Sequence, residues 1–134
     1  MANRDLIVVG VDGTDGGRRA LRWAVSEARR GGSTVAAVTA WYPIEQRSFA
    51  ERVSAREVNS ALADGGPHVG LVRQVLAGTP ANVLTEASRG AGMLVLGSHG
   101  HSRLRQAALG SVSESCVRNA SCPVVVIPAT DNRR

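Results

Sequence analysis

The sequence predicts an α/β protein built on one parallel sheet with helices on both of its faces. Short, unbroken apolar runs recur along the chain, and such runs are typical of strands that are buried on both sides in parallel sheets. Between these runs lie stretches whose apolar residues have helical spacing, and strands that alternate with helices favour parallel βαβ units. At 134 residues the chain has the size of one domain, so we expect residues 1–134 to fold as a single unit.

The first half of the chain is expected to contribute two strands and two helices. Leu6 to Val11 is the first predicted strand, and a loop rich in glycine and aspartate leads from it into a helix from about Arg18 to Arg30. Thr34 to about Trp41 is the second strand, which Pro43 ends. Residues 46–63 are interpreted as a helix despite their poor pattern. Four of its residues are expected to face inward: Phe49, Val53, Val58 and Leu62.

The second half continues the alternation of strand and helix. Val69 to Leu76 is the third predicted strand, and the third helix follows with Thr79 as its N-cap and Pro80 at its first position. The remaining elements are a strand, a helix and a strand: Met93 to Leu96, Val112 to Asn119, and Val124 to Ile127.

The segment from Met93 to Ser111 predicts a binding site for an anion. A buried strand stops at Gly97, glycines then punctuate a polar segment, and Ser111 stands where a helix N-cap is expected. Glycines let the backbone approach a phosphate, and the free N–H groups of a helix N-terminus favour negative charge. Arg103 and Arg105 lie in the same segment and add positive charge.

The spacing of this segment, Gly97-x2-Gly100-x9-Gly110-Ser111, resembles the signature G-x2-G-x9-G-[ST] of ATP-binding universal stress proteins. It is not a Walker A loop, because the chain has no lysine, and it is not a Rossmann fingerprint following the first strand. An ordinary glycine-rich connection is the alternative. The resemblance extends to LIVVGVDGTDGGRRALRWA near the start of the chain and to LGSVSESCVRNASCPVVVIP near its end, so it covers nearly the whole sequence.

The resemblance implies a doubly wound sheet in the order 3-2-1-4-5 and a nucleotide site beyond the carboxyl ends of its strands. The glycines and Ser111 would hold the phosphates of ATP, Asp12 would serve the ribose and a Mg²⁺ ion, and the backbone of Ala40 would contact adenine. Asp12 has a simpler alternative role as the cap of a turn or helix. The segment from Tyr42 to His68 is shorter than in many members, so what covers the adenine stays open. The implied site has eight residues: Asp12, Ala40, Gly97, Ser98, Gly100, Gly110, Ser111 and Val112.

The expected function is that of a nucleotide-dependent regulator of the stress response, with no or slow ATP hydrolysis. Ser98, Ser102 and Ser111 are interpreted as lacking a local activating group, so no catalytic residue is predicted. Two alternatives stay open: an ATPase or nucleotidyl-transfer enzyme on the same fold, and a basic nucleic-acid-associated protein. The net charge of +5 favours the latter, but the arginines are scattered and the aromatic content available for base stacking is low, at 3%. A nucleic-acid partner is therefore not expected.

Further expectations concern location and assembly. The N-terminus lacks the pattern of a signal peptide and no apolar run has the length of a membrane span, so a cytoplasmic protein is expected. Cys116 and Cys122 are interpreted as packing residues. Val124 to Ile127 would be an unprotected apolar edge strand, and because universal stress proteins commonly dimerise through this strand, the resemblance implies a homodimer.

Overall fold

The computed structural model describes residues 3–99 and 109–128, and within them the backbone forms a five-stranded, wholly parallel sheet. The strand order is β3-β2-β1-β4-β5, which confirms both the predicted α/β class and the order implied by the family resemblance. In chain order the strands are β1 Asn3–Gly10, β2 Thr34–Trp41, β3 Gly70–Ala77, β4 Ala91–Gly97 and β5 Val124–Ile127.

Helices cover both faces of this sheet. α1 and α2 pack on one face, and α3 and α4 pack on the other. Successive residues of a strand point to opposite faces, so Val9 lies in the apolar cluster under α1 and α2, and Val8 lies in the cluster under α3 and α4. In the described ranges the helices are α1 Asp15–Gly31, α2 Arg47–Leu62, α3 Pro80–Ala87 and α4 Ser111–Asn119, with a short 3-10 helix Ile44–Gln46 before α2.

Two elements begin earlier than the apolar pattern indicates. β1 begins at Asn3, ahead of the apolar run, because Asn3 pairs with Ala91 of β4 and so extends the parallel ladder. α1 begins at Asp15, because Thr14 is its N-cap and the Thr14 side chain accepts a hydrogen bond of 3.1 Å from the Gly17 N–H. Backbone pairing and capping, rather than hydrophobicity, therefore set these two boundaries.

The helix predicted in the poorly patterned segment is present as α2, but the inward position expected for Phe49 is wrong. Phe49 is 56% exposed. The Arg52 guanidinium lies over its ring, with 5.9 Å between the Arg52 Cζ atom and the centroid of the Phe49 ring. Val53 and Val58 are buried as expected, and Leu62 is partly buried against the same cluster. Phe49 lies one position away from the buried stripe of α2, which consists of Ala50, Val53, Ser54, Glu57, Val58 and Ala61.

β3 and β5 are the edges of the sheet. β5 has four residues and all of them are partly exposed. No helix within residues 3–99 and 109–128 is long and apolar enough to cross a membrane.

Candidate functional site

A cleft of about 300 Å³ opens beyond the carboxyl ends of β1, β2 and β4, next to the point where the strand order reverses. Because β2 and β4 lie on either side of β1, the cleft has one end next to β2 and α3 and another next to the loop after β4 and α4, and these two ends differ in chemistry. The apolar end is formed by side chains of β2, β4 and α3: Val38, Ala40, Leu96, Pro80 and Leu84. The polar end is formed by two loops and the start of α4, and it contains Asp12, Gly17, Gly97, His99, Ser111 and Ser113.

Most of the site residues implied by the family resemblance come together at this cleft. The members of that set that line it are Asp12, Ala40, Gly97, Ser111 and Val112. Ser98 and Gly110 lie beside the cleft, joined by a backbone hydrogen bond of 2.6 Å from the Gly110 N–H to the Ser98 carbonyl. Gly100 lies outside the described residues, as do Arg103 and Arg105.

Asp12 caps the turn that follows β1, which is the simpler role considered for it from the sequence. Its Oδ1 atom accepts hydrogen bonds from the Thr14 N–H at 3.0 Å and from the Thr14 hydroxyl at 2.5 Å. The Thr14 hydroxyl oxygen in turn accepts from the Gly17 N–H, at the start of α1. This network holds the Asp12 carboxylate at the wall of the cleft.

Two glycines in the first turn of α1, which the sequence analysis did not single out, allow close packing at the polar end: Gly16 against the loop after β4, and Gly17 against Asp12. A Cβ atom on Gly16 would stand 2.9 Å from the His99 carbonyl oxygen, and one on Gly17 would stand 2.6 Å from Asp12 Oδ1. A Cβ on Gly97 would meet the backbone of Gly16 at 2.8 Å. Contacts of this length leave no space for a side chain, so glycine is required here for the packing of the loops against each other. The signal in the sequence is the glycine-rich turn after the first strand.

The assignment of Ser111 as the N-cap of α4 is wrong. Gly110 is the N-cap, and its carbonyl accepts the first helical hydrogen bond, 2.9 Å from the Glu114 N–H. Gly110 has φ −74°, a value that any residue can adopt, so its backbone conformation does not require glycine. Ser111 is the first helical residue, exposed at the polar end of the cleft.

Ser113 is the hydroxyl that fastens the start of α4, and the sequence analysis missed it. It is buried, and its Oγ lies 2.7 Å from the Ser98 carbonyl oxygen and 3.2 Å from the Gly110 carbonyl oxygen. The first turn of a helix leaves N–H groups without intrahelical partners. Because Ser111, Val112 and Ser113 line the cleft, this positive end of α4 borders its polar end.

The described lining of the cleft includes no residue from Tyr42 to His68. α2, which makes up most of that segment, packs with α1 on the other face of the sheet. The apolar end of the cleft is closed instead by Pro80 and Leu84 of α3. The apolar end of the cleft therefore has a wall even though the segment from Tyr42 to His68 is short.

The model of the universal stress protein family matches residues 3–128. Universal stress protein Rv2624c of Mycobacterium tuberculosis H37Rv is 33% identical over 139 residues, which cover 93% of this chain and 51% of that protein. The chain spans about half the length of the curated relatives it matches.

Solved structures agree with this match. A universal stress protein in complex with cAMP has a TM-score of 0.78 and 25% identity, covering 97% of this chain and 100% of that one. A universal stress protein from Archaeoglobus fulgidus in complex with dAMP shares the fold, with a TM-score of 0.70 and 24% identity over 95% of this chain and 99% of that one. Since the family model matches from the first described strand to the last, and the sheet has the expected order, the chain belongs to the universal stress protein family.

Proposed function

We propose that this protein binds an adenine nucleotide, with ATP as the expected ligand, and acts as a nucleotide-dependent regulator of the stress response. The observation that carries the proposal is the division of one cleft into an apolar end and a polar end beside a helix N-terminus. A nucleotide has the matching division into a flat base and an anionic phosphate group. The similar structure that holds cAMP supports this ligand class.

In this proposal the base lies against Val38, Ala40 and Leu84, and the phosphates lie against Gly97 and the first residues of α4. Backbone N–H groups at a helix start suit phosphate oxygens. The volume of about 300 Å³ lies within the range of small-molecule pockets.

Asp12 is the proposed carboxylate for a Mg²⁺ ion that accompanies the nucleotide. Mg²⁺ is usually bound through one or two carboxylates together with phosphate oxygens and water, and the carboxylate at the cleft wall fits that donor set. Among the residues that the structure describes, no three His, Cys, Asp or Glu side chains come together as a metal site. The proposed Mg²⁺ therefore depends on the phosphates and binds only with the nucleotide.

Hydrolysis is proposed to be absent or slow. Asp12 is the one carboxylate in the described lining, and it is already engaged by Thr14 within its own turn. The Ser98 hydroxyl lies 3.1 Å from the neighbouring His99 Nδ1, so the expectation that Ser98 lacks a local base is wrong, and this pair is where the enzymatic alternative would start. An ATPase or nucleotidyl-transfer activity is the alternative function. Release of a reaction product from ATP would distinguish this enzyme from a protein that only binds the nucleotide. The proposal also takes 1–134 as one nucleotide-binding domain that is cytoplasmic and dimerises through β5.

The test is mass spectrometry of the nucleotide released from freshly purified, heat-denatured protein, followed by titration calorimetry with ATP, ADP, AMP and cAMP. Ala40→Phe should fill the apolar end and abolish binding, because Ala40 lines that end. Ala63→Phe is the matched control, since Ala63 is exposed just after α2.

A wild-type protein that carries no nucleotide and shows no binding at millimolar concentration would refute the proposal. Release of phosphate at more than background rates would favour the enzymatic alternative.

A further inference from the structure

We infer that Glu57 of α2 is a positioning residue for the proposed nucleotide site. Glu57 lies on the opposite face of the sheet from α3 and α4. Through Arg18 it holds the turn of residues 12–14 on the side that faces away from the cleft. This inference rests on the proposed nucleotide binding and names the part of the chain that controls it.

Glu57 is a carboxylate in the buried stripe of α2, with 3% of its side chain exposed. A buried charge needs partners, and two arginines supply them. Glu57 Oε1 lies 3.0 Å from Arg18 Nε, and Glu57 Oε2 lies 3.3 Å from Arg18 Nε and 3.2 Å from Arg56 Nε. One carboxylate therefore fixes the position of two guanidinium groups.

Arg18 binds the turn that carries Asp12, and Arg56 lies beside that turn. Arg18 donates from its Nη2 to the Gly13 carbonyl at 3.4 Å. Gly13 has φ +82°, in the left-handed region, and a Cβ there would stand 3.6 Å from Arg56 Nη2 and 3.3 Å from Val53 Cγ1. The side of the turn that faces away from the cleft thus lies beside Val53 of α2 and beside Arg56, which Glu57 orients.

The front of the same turn faces the cleft. Asp12 lines the cleft, and its Oδ1 holds Thr14 on the far side of Gly13. Contacts therefore run from Glu57 through Arg18 and Gly13 to Asp12, although α2 contributes no residue to the described lining. Without the charge of Glu57, Arg18 is held less firmly at Gly13, and the turn that positions the Asp12 carboxylate loses one of its supports.

The test compares Glu57→Gln with Glu51→Gln, an exposed glutamate on the same helix. Affinity for ATP is measured with Mg²⁺ and with EDTA. Glu57→Gln should weaken binding of Mg-ATP about 10-fold, the order expected for losing one charge-assisted hydrogen bond, and should weaken metal-free binding much less. In an Asp12→Asn background Glu57→Gln should have no further effect, because it acts through Asp12. Glu51→Gln should match wild type.

A merely structural role for Glu57 predicts equal losses with and without Mg²⁺, and losses that add to those of Asp12→Asn. Either result would overturn the inference. Arg18→Lys is the second variant, because Arg18 is 42% exposed and its replacement leaves the core intact. Lysine keeps the charge but lacks the planar fork that reaches Glu57 and Gly13 together, so the same difference between Mg²⁺ and EDTA is expected.

Hydrogen exchange in the nucleotide-free protein separates this inference from the proposed function. In Glu57→Gln the amides of Thr14 and Gly17 should exchange about 10-fold faster, because their acceptors lie in the turn. The amide of Gly32, which donates to Ala28 at the other end of α1, should not change. If wild type binds no nucleotide, the proposed function fails and this measurement still decides whether Glu57 holds the turn. Unchanged exchange at Thr14 and Gly17 would overturn the inference.

Discussion

Gly97 and Gly16 contact each other through their backbones. A Cβ on Gly97 would stand 2.8 Å from the Gly16 carbonyl carbon and 2.9 Å from its oxygen. The contact joins the end of β4 to the first turn of α1, across the point where the strand order reverses. Gly97 and Gly17, the neighbour of Gly16, both line the polar end of the cleft. The contact between Gly97 and Gly16 therefore sets the distance between the two walls of this end.

Gly97→Ala should therefore destabilise the fold and weaken nucleotide binding together. The added methyl group meets backbone, which cannot rotate away, and overpacking of this kind costs about 1–3 kcal/mol in the free energy of unfolding. Urea denaturation measures the stability, and calorimetry with ATP measures the binding.

Gly31→Ala is the control for this substitution. A Cβ on Gly31 would have Ser33 Oγ at 3.9 Å as its nearest neighbour, an ordinary contact at the end of α1. That variant should keep wild-type stability and affinity. If Gly97→Ala proves as stable as Gly31→Ala, the two loops are not in direct contact.

The signature around Gly97 shows what the sequence could and could not predict about the site. The spacing placed a glycine loop between a strand and a helix, and the cleft lies there. For Gly97 the family resemblance implies only contact with phosphate, because spacing within one loop carries no information about the segment packed against that loop. That information depends on the pairing of β1 with β4, which brings together residues far apart in the chain.

Alanine at Ser111 and alanine at Ser113 should have different effects, the first on nucleotide affinity and the second on the stability of the fold. Ser111→Ala removes an exposed hydroxyl at the polar end, so ATP affinity should fall about 10- to 150-fold, equivalent to about 1.5–3 kcal/mol. Its free energy of unfolding should stay within about 0.5 kcal/mol of wild type, because Gly110 and not Ser111 is the cap. Ser113→Ala should instead lower the free energy of unfolding by about 1 kcal/mol, the net value of the hydrogen bond it loses, since the Ser98 carbonyl keeps the Gly110 N–H as a donor. Calorimetry and urea denaturation on both variants check this, and a loss of stability in Ser111→Ala alone would contradict it.

Asp12→Asn should weaken binding of Mg-ATP more than binding of metal-free ATP. The amide keeps an oxygen that can accept from Thr14, so the turn should persist, but it lacks the charge that favours Mg²⁺. Calorimetry with Mg²⁺ and with EDTA gives the two affinities. Equal losses under both conditions would assign Asp12 to the ribose or to the turn.

α2 shows why part of the fold could not be predicted. The sequence indicated a helix over residues 46–63, close to its observed range, but not which face it buries. Hydrophobic periodicity assumes that polar residues face solvent, whereas Ser54 and Glu57 are buried here and Phe49 is exposed. The burial of Glu57 becomes intelligible only with its partners Arg18 and Arg56, and Arg18 belongs to another helix.

Cys116 should resist alkylation in the folded protein, whereas Cys122 should react. Cys116 is buried in α4, and burial raises the pKa of its thiol to about 11. At pH 8 the thiol is then about one part in a thousand thiolate, the reactive form. Between pH 9 and 11 the unfolded chain releases this proton while the folded chain keeps it, so this group lowers stability as the pH rises. Labelling with iodoacetamide followed by peptide mass spectrometry should find label on Cys116 only after denaturation, and rapid native labelling would contradict its burial.

The edge strand β5 is the expected interface of the proposed homodimer. In this sheet β5 is an edge, its residues read Val-Val-Val-Ile, and none is charged, so a second copy of the strand can pair with it. Val125 packs on the cluster under α1 and α2 and is unsuited to a test, since changing it would disturb the core. Val126 belongs to neither apolar cluster, so Val126→Lys should introduce charge at the edge and leave the core intact.

Val72→Lys is the matched control, because Val72 is 49% exposed on β3, the opposite edge of the same sheet. Light scattering at tens of micromolar protein should find a dimer for wild type and Val72→Lys and a monomer for Val126→Lys. ATP affinity should be unchanged in both variants, since neither residue is part of the described lining of the cleft. A monomeric wild type would refute the dimer, and dissociation by Val72→Lys alone would move the interface to β3.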